Sequence, residues 1–447
     1  MSDYVHPHGH VFYRRMGHHH PLILRGEGIY LYDSEGKRYI DGSGGAIVAN
    51  IGHGVESVAQ AMAEQASQAA YIHATMFTSE AIEKYSAALA KIVPVPEARF
   101  YFLSSGSEVI EAAIKLARQI QYERGKTSRY LPISRWQSYH GLSMGALAVA
   151  GKPKMRSLFR PMFVDFPHIP PPYCYRCPYG LEHPQCDLRC ATALEDEIKI
   201  QGTETISAFV AEPISGATLG AVVPPPGYWP RIREICDEYE ILLIADEVMT
   251  GMGRTGKWFA MEHWDVEPDI LTMGKGAVGG YFPLGIVAIR GDLVDLIAAG
   301  TGDFVHGGTY SHHAVGAAAG LAALQHIQRN ELVQNMPQKE RSLERALNTH
   351  LGDLECVGDI RGKGLMWGVE LVANRDTKEA FDPKIHFAQQ VADEAFRRGL
   401  ILYPGSGCVD GIAGDLIMIG PPFSIGDDEI DEMILIFKNS ILHVCGP

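Results

Sequence analysis

Lys275 stands between two glycines in Leu271-Thr-Met-Gly-Lys275-Gly276, just past a short apolar run. A lysine enclosed by apolar or cationic groups gives up its proton more easily and becomes a nucleophile toward carbonyls. The flanking glycines leave room for a ligand beside it; the plain alternative is a solvated loop lysine. A second candidate ends the run Ile241-Leu-Leu-Ile-Ala245, which continues into Asp246-Glu247. In open α/β sheets ligands sit beyond the carboxyl ends of the strands. A carboxylate there needs a cation or a hydrogen-bond donor, because an isolated buried charge is costly. A protonated pyridine nitrogen would suit it; an aspartate that merely caps a helix is the alternative.

The third candidate is Ser104-Ser-Gly-Ser-Glu108, which follows an apolar run and precedes apolar residues at helical spacing, Val109, Ile110, Ala113, Ile114, Ala117 and Ile120. Ser105 and Glu108 fit a capping box, and the free N–H groups of such a helix start bind phosphate well. Gly106 would let a phosphate approach closely; an ordinary helix cap explains the same residues. Gly251-Met-Gly-Arg-Thr-Gly256-Lys257 has the spacing of a phosphate loop, but Trp258 follows where that motif needs Ser or Thr for magnesium.

The elements that must position these residues are legible as a pattern. Short apolar runs at 100–103, 130–133, 206–211, 241–245, 270–273 and 285–289 alternate with amphipathic stretches, the signature of a mostly parallel sheet covered by helices. Ile241 to Ala245 is apolar throughout, as a strand buried on both faces should be. Upstream, Ile29–Tyr32 and Lys37–Ile40 flank a turn at Asp33–Gly36. The 310–350 region is alanine-rich and helical in pattern, and strands are expected near 367–371 and 416–419. The expected architecture is α/β: a large domain over 61–330 and a smaller α+β domain over 331–447, joined by the N-terminal segment 1–60.

Composition narrows the function classes. The 447 residues are 46% hydrophobic and 21% charged, with a net charge of -14. That acidic balance disfavours nucleic acid as a partner. No apolar stretch approaches membrane-spanning length, and no basic region followed by an apolar run opens the chain, so no membrane role and a cytoplasmic location are expected. Eight cysteines are too few for a disulfide scaffold.

In order along the chain come Ser105-Gly-Ser-Glu108, Tyr139-His-Gly141, Ala211-Glu-Pro213, Asp246-Glu-Val248, Gly253-Arg-Thr-Gly256, Lys275 and Gly308-Thr-Tyr310. From about residue 20 onward the sequence resembles the class III pyridoxal-phosphate-dependent aminotransferases, and Pro224-Pro-Pro-Gly-Tyr228, Asp359-Ile-Arg-Gly-Lys-Gly364 and Pro421-Pro422 extend the likeness. The resemblance implies a fold type I enzyme with pyridoxal 5'-phosphate as cofactor. It implies that Lys275 carries the cofactor as a Schiff base and shuttles the proton, and that Asp246 pairs with the pyridine nitrogen. Ser105, Gly106 and Ser107 would hold the phosphate, and Tyr139, with His140 beside it, would stack on the ring. Val248 would pack on the other face, and Glu212 would lie near the ring hydroxyl. Thr309 would reach the phosphate of the neighbouring subunit, which makes a homodimer with shared sites, or a tetramer, the expected assembly.

The expected reaction is ping-pong transfer of an amino group from an amine or ω-amino acid to a keto acid. The stretch Ile214-Ser-Gly-Ala-Thr-Leu219 lacks the acid that many glutamate-using relatives place there, and no arginine follows Arg398 to take a substrate carboxylate. Both departures lean toward pyruvate as acceptor. Val109-Ile110 replaces the family's Ala-Asn, and Ile47 stands where some amine:pyruvate relatives carry a pocket tryptophan. Racemase, aminomutase and decarboxylating enzymes share the family, and a retired fold that only binds metal is a further alternative. Cys174-x2-Cys177-x8-Cys186-x3-Cys190 could hold zinc, form a disulfide or do neither. His6, His8, His10 and His18–His20 are expected to belong to a flexible or interfacial N-terminus rather than to a metal site.

Overall fold

A computed structural model describes residues 10–16, 18 and 20–446. His6, His8 and His19 therefore lie outside the described residues. Three sheets organise the chain. The first contains β1 (Ile23–Glu27), β2 (Tyr30–Asp33) and β3 (Arg38–Asp41). The central sheet is built from β4 (Arg99–Leu103), β5 (Leu131–Arg135), β6 (His168–Ile169), β7 (Ile206–Ala211), β8 (Leu242–Asp246), β9 (Ile270–Met273) and β10 (Gly285–Ile289). Its strand order is β4-β10-β9-β8-β7-β5-β6. Strands β5 to β9 pair parallel, and β10 runs antiparallel to both neighbours.

The third sheet holds β11 (Val357–Lys363), β12 (Met366–Leu371), β14 (Tyr403–Ser406) and β15 (Asp415–Ile419), all antiparallel. Between them in sequence, β13 (Leu400–Ile401) leaves this sheet and pairs parallel with β3, so residues from the two halves of the chain share one sheet.

The central strands are buried along their whole length because both faces are covered. Successive residues of a strand point to opposite sides. Ala208, Val210, Leu242 and Ile244 pack with the helix Gly106–Glu123, through Val109, Ala113, Leu116 and Ile120. Phe209, Leu243 and Ala245 pack on the other side with the helices Arg189–Gln201 and Tyr228–Glu238, through Leu194, Ile198, Trp229 and Ile232. Continuous apolar runs in the sequence are what such a doubly covered sheet requires.

Helix Ala314–Arg329 is rich in small residues because it runs close to its neighbours. A Cβ built on Gly320 would stand 2.3 Å from Cε1 of Tyr85, whose hydroxyl donates to the carbonyl of Ala277 at 2.6 Å. Replacing a helical glycine by alanine ordinarily gains up to about 1 kcal/mol. Overpacking a closed interface costs about 1–3 kcal/mol. Gly320→Ala is therefore expected to destabilise the fold by up to about 2 kcal/mol, read as a lower denaturant midpoint. An unchanged or higher midpoint would contradict the tight packing of Tyr85 against this helix.

Candidate active site

The carboxyl ends of β7, β8 and β9 meet the start of the helix Gly106–Glu123 around a cavity of about 180 Å³. Ser105, Gly106 and Ser107 line it, as do Tyr139, His140, Glu212, Asp246, Val248 and Lys275. Thr309 does not: it sits on an exposed loop away from the cavity. Gly141, Ile214, Ala217, Met249 and Thr250 complete the wall.

Ser105 is the extended residue before the helix, and its Oγ accepts the Glu108 N–H at 3.3 Å. The Glu108 carboxylate reaches back to the N–H of Ser104 at 2.7 Å, one residue earlier than a standard capping box would place it. The first-turn N–H groups of Gly106 and Ser107 have no partner within the helix and carry the positive end of its dipole. Ser107 Oγ accepts the Leu142 N–H at 3.0 Å, which leaves its own hydrogen to donate. Gly141 makes this approach feasible: its φ is 133°, and a Cβ there would lie 2.5 Å from Ser107 Oγ.

Asp246, the last residue of β8, is 4% exposed. Its Oδ2 lies 2.7 Å from His140 Nδ1, and its Oδ1 accepts the Thr272 hydroxyl at 3.2 Å and the Val248 N–H at 3.1 Å. With Asp246 as acceptor, His140 Nδ1 carries a hydrogen, and its Nε2 lies 3.2 Å from the Ser134 hydroxyl. The two carboxylates that end this strand have separate tasks. Glu247 turns away from the cavity, accepts the Met261 N–H at 2.9 Å and bonds the Thr250 hydroxyl, and burial pushes it up to about 7. It ties the loop after β8 to the 259–263 turn.

Glu212 follows β7 and is also buried. Its Oε1 accepts the Gly216 N–H at 2.9 Å and its Oε2 the Tyr139 N–H at 3.3 Å, so it fixes the backbone that presents the Tyr139 ring. Burial holds its carboxyl above the usual range, against the pull of His140 and Arg135.

Lys275 comes two residues after β9 with φ 41°. Gly274 and Gly276 are close-packed: a Cβ on Gly274 would lie 3.2 Å from Val248 Cγ1, and one on Gly276 2.8 Å from Asn50 Nδ2. Burial lowers the Lys275 ammonium to about 8, with Asp246 and Glu212 partly offsetting that effect. Lowering a lysine from 10.5 to about 8 raises the share of neutral, nucleophilic amine near neutral pH by more than two orders of magnitude. Capture of pyridoxal phosphate by the apoenzyme should then speed up as pH rises and level off above about 8. Stopped-flow reconstitution across pH 6–10 checks this, and a rate still climbing steeply past pH 9 would contradict the enclosed environment of Lys275.

A pyridine ring with an aldehyde and a phosphate fits these walls on chemistry alone. The helix start supplies N–H donors and a hydroxyl for the phosphate, Asp246 an acceptor for a ring N–H, and Lys275 an amine for the aldehyde. The phosphate-loop look-alike has no such role. Arg254 is buried and donates to the carbonyls of Leu365 (3.1 Å) and Pro421 (2.7 Å), while Lys257 is exposed. That segment joins the central sheet to the third one.

Among the described residues, no three His, Cys, Asp or Glu side chains are grouped so as to hold a metal ion. Cys174, Cys177, Cys186 and Cys190 are free thiols running from exposed to buried, and burial together with the neighbouring thiols pushes Cys174 and Cys190 up. In the sequence Ile214 and Ala217 stand out only as part of a stretch that lacks an acid. Met249 and Thr250, next to Val248, carry no motif that would have singled them out.

Residues 12–441 match the family model described as aminotransferase class-III. Among curated proteins, a Bacillus subtilis protein named as the uncharacterised aminotransferase YodT is 40% identical over 425 residues, covering 95% of this chain and 96% of that one. The putrescine–pyruvate aminotransferase of Pseudomonas aeruginosa is 33% identical, covering 94% and 90%. Among solved structures, an amine transaminase from an uncultivated Pseudomonas species in its PLP-bound form superposes with a TM-score of 0.89 at 34% identity, covering 97% of this chain and 99% of that one.

Proposed function

We propose, from the premise that this chain belongs to the class-III aminotransferase family, that it transfers the amino group of an amine or ω-amino acid to pyruvate, with Lys275 as the residue that carries the cofactor and moves the proton. It is a pyridoxal-phosphate-dependent aminotransferase of α/β fold. The observation that carries the residue roles is the convergence of Lys275, Asp246 and the Ser105-capped helix start on one cavity.

The bound cofactor supplies an electron sink for the pair left behind when the substrate carbon gives up its proton. The chain supplies the rest. The N–H groups of Gly106 and Ser107 and the Ser107 hydroxyl would hold the phosphate. Asp246, fixed by His140, Thr272 and the Val248 N–H, would accept the hydrogen of the ring nitrogen. Tyr139 and Val248 would enclose the ring, and Glu212 would bear on its hydroxyl. Lys275 Nζ, whose pKa burial lowers, would be released by the incoming amine and would take the proton from the substrate carbon as a general base.

The preference for pyruvate rests on the wall beyond this machinery. Ile214, Ala217 and Met249 line the cavity, and Ile47 and Tyr403 belong to the same apolar cluster as Ile214. Those residues offer no bidentate partner for the second carboxylate of 2-oxoglutarate. The P. aeruginosa relative named for putrescine and pyruvate points the same way.

Thr309 is proposed to act across a homodimer interface, which could be doubled into a tetramer. The exposed loop that bears it also exposes Val305 and Tyr310, and Tyr71, Met76 and Phe77 add further exposed apolar surface. Thr309→Val is expected to weaken cofactor retention about tenfold, the loss of one hydrogen bond to a charged group; unchanged retention on dialysis would remove Thr309 from the phosphate site. No described helix is long and apolar enough to cross a membrane, and a cytoplasmic location belongs to the same proposal.

The test is a donor panel of monoamines, diamines and ω-amino acids, each run with pyruvate or 2-oxoglutarate. Alanine formation from pyruvate is expected. Glutamate formed in preference to alanine would overturn the acceptor assignment, and turnover that needs no keto acid would move the chain to the racemase or aminomutase reading.

A further inference from the structure

Cys356 and Cys445 are 89 positions apart, yet their Sγ atoms lie 2.8 Å from each other. Sulfurs that only touch stand farther apart than this. Among the described residues no other two thiols make such a contact. Each partner is held by its own surroundings. Cys356 sits in the short turn between the helix Met336–Leu351 and β11, where its carbonyl accepts the Val372 N–H at 2.9 Å. Cys445 is the last residue of the helix Asp427–Cys445.

That helix is secured unevenly. Its first turns are tied to the N-terminal strands by the Tyr30 hydroxyl on Glu429 at 2.8 Å and by Arg38 on Glu432 at 2.7 Å. Ile430, Met433, Ile434, Phe437 and Ile441 bury its apolar face. Beyond Ile441 the hold is lighter: Leu442 is exposed, His443 stands 3.9 Å from the Glu394 carboxylate, and half-buried Val444 rests against the edge of the core. Helix ends fray more readily where their last turn is held by few contacts. The thiol pair sits at this lightly held end.

We propose that Cys356 and Cys445 are an oxidisable pair that closes into a disulfide, stapling the end of the C-terminal helix to the start of β11. The oxidant is a low-molecular-weight disulfide of the glutathione class. The exposed Cys445 reacts first: its thiolate attacks the small disulfide, forms a mixed disulfide and releases one small thiol. The Cys356 sulfur then attacks the Cys445 sulfur and displaces the second small thiol. Two protein thiols and one small disulfide become one protein disulfide and two small thiols. The protein gives up two electrons and two protons, and the oxidant gains both. The bond restrains a long loop of the unfolded chain and holds the last helical turn in the folded one.

The experiment uses the full-length holoenzyme treated with glutathione disulfide. Remaining thiols are blocked with iodoacetamide, and the protein is digested without reductant and mapped by mass spectrometry. The expected product is a cross-linked peptide pair containing Cys356 and Cys445, lighter by two hydrogens than the two thiol peptides and abolished by reductant. Oxidised wild type should melt a few degrees above reduced wild type, and this difference should vanish in Cys445→Ser. That variant changes an exposed residue remote from the cofactor cavity, so it should fold and keep its kcat. Two blocked thiols, or a glutathione adduct that stays on Cys445 without the cross-link, would overturn the pairing. A cross-link that leaves Tm unchanged would overturn the stapling.

Discussion

Lys275→Ala should lower kcat by about four orders of magnitude or more, because it removes both the amine that carries the cofactor and the base that moves the proton. General acid–base catalysis alone is worth about 10²–10⁴-fold, and loss of the covalent attachment adds to it. The fold should survive. No hydrogen bond of the Lys275 side chain supports its neighbours, and alanine at φ 41° meets the same backbone strain that lysine already bears. The informative comparison is activity against cofactor content. The variant should still bind pyridoxal phosphate through the helix start and Asp246, more weakly, and should not turn over. A variant with activity within about tenfold of wild type would place the chemistry on another residue, since losing a general base of this kind costs more.

Asp246→Asn is expected to lower kcat about 10²–10³-fold, the range for deleting one preorganised electrostatic partner from an enclosed site. The substitution is nearly isosteric. If the asparagine oxygen keeps the Thr272 hydroxyl and the Val248 N–H, its NH2 faces His140 Nδ1, which can then accept once the imidazole carries its hydrogen on Nε2, so the backbone around Val248 should stay in place. What is lost is the negative charge beside the ring nitrogen, which keeps that nitrogen protonated and the ring able to accept electrons. Cofactor affinity should fall less than kcat does, because the phosphate contacts at Gly106 and Ser107 are untouched. Steady-state kinetics together with a cofactor titration separate the two effects. A fall in affinity with unchanged kcat would make Asp246 a binding group only.

Much of this site could be read in advance because each strand of the central sheet is buried on both faces. Such strands must be continuously apolar, and their carboxyl ends are marked by the first polar residue, as at Asp246 and Glu212. The sheet strands expected at 206–211 and 270–273 coincide with β7 and β9, and the run at 241–245 with β8 shifted by one residue. Less was legible where spacing is a poor guide to distance. Strands β6 and β13 are two residues long and carry no periodicity to detect. The four cysteines between 174 and 190 are close in sequence but are not gathered into a metal site, whereas Cys356 and Cys445 are remote in sequence and touch. Glu247 and Asp246 look equivalent as a dipeptide; alternation of side chains at the strand end sends them to different places. Thr309 shows the opposite limit. Its motif is plain in the sequence, and a single chain leaves it exposed and away from the cavity.

The most direct test of the central claim is to trap the lysine–cofactor link. The holoenzyme is reduced with borohydride, digested, and its peptides are mapped by mass spectrometry. The account predicts one stable phosphopyridoxyl mark, on the peptide that contains Lys275, and no mark when the enzyme is first saturated with an amine donor. A mark on any other lysine, or cofactor that leaves the reduced protein on denaturation, would contradict it.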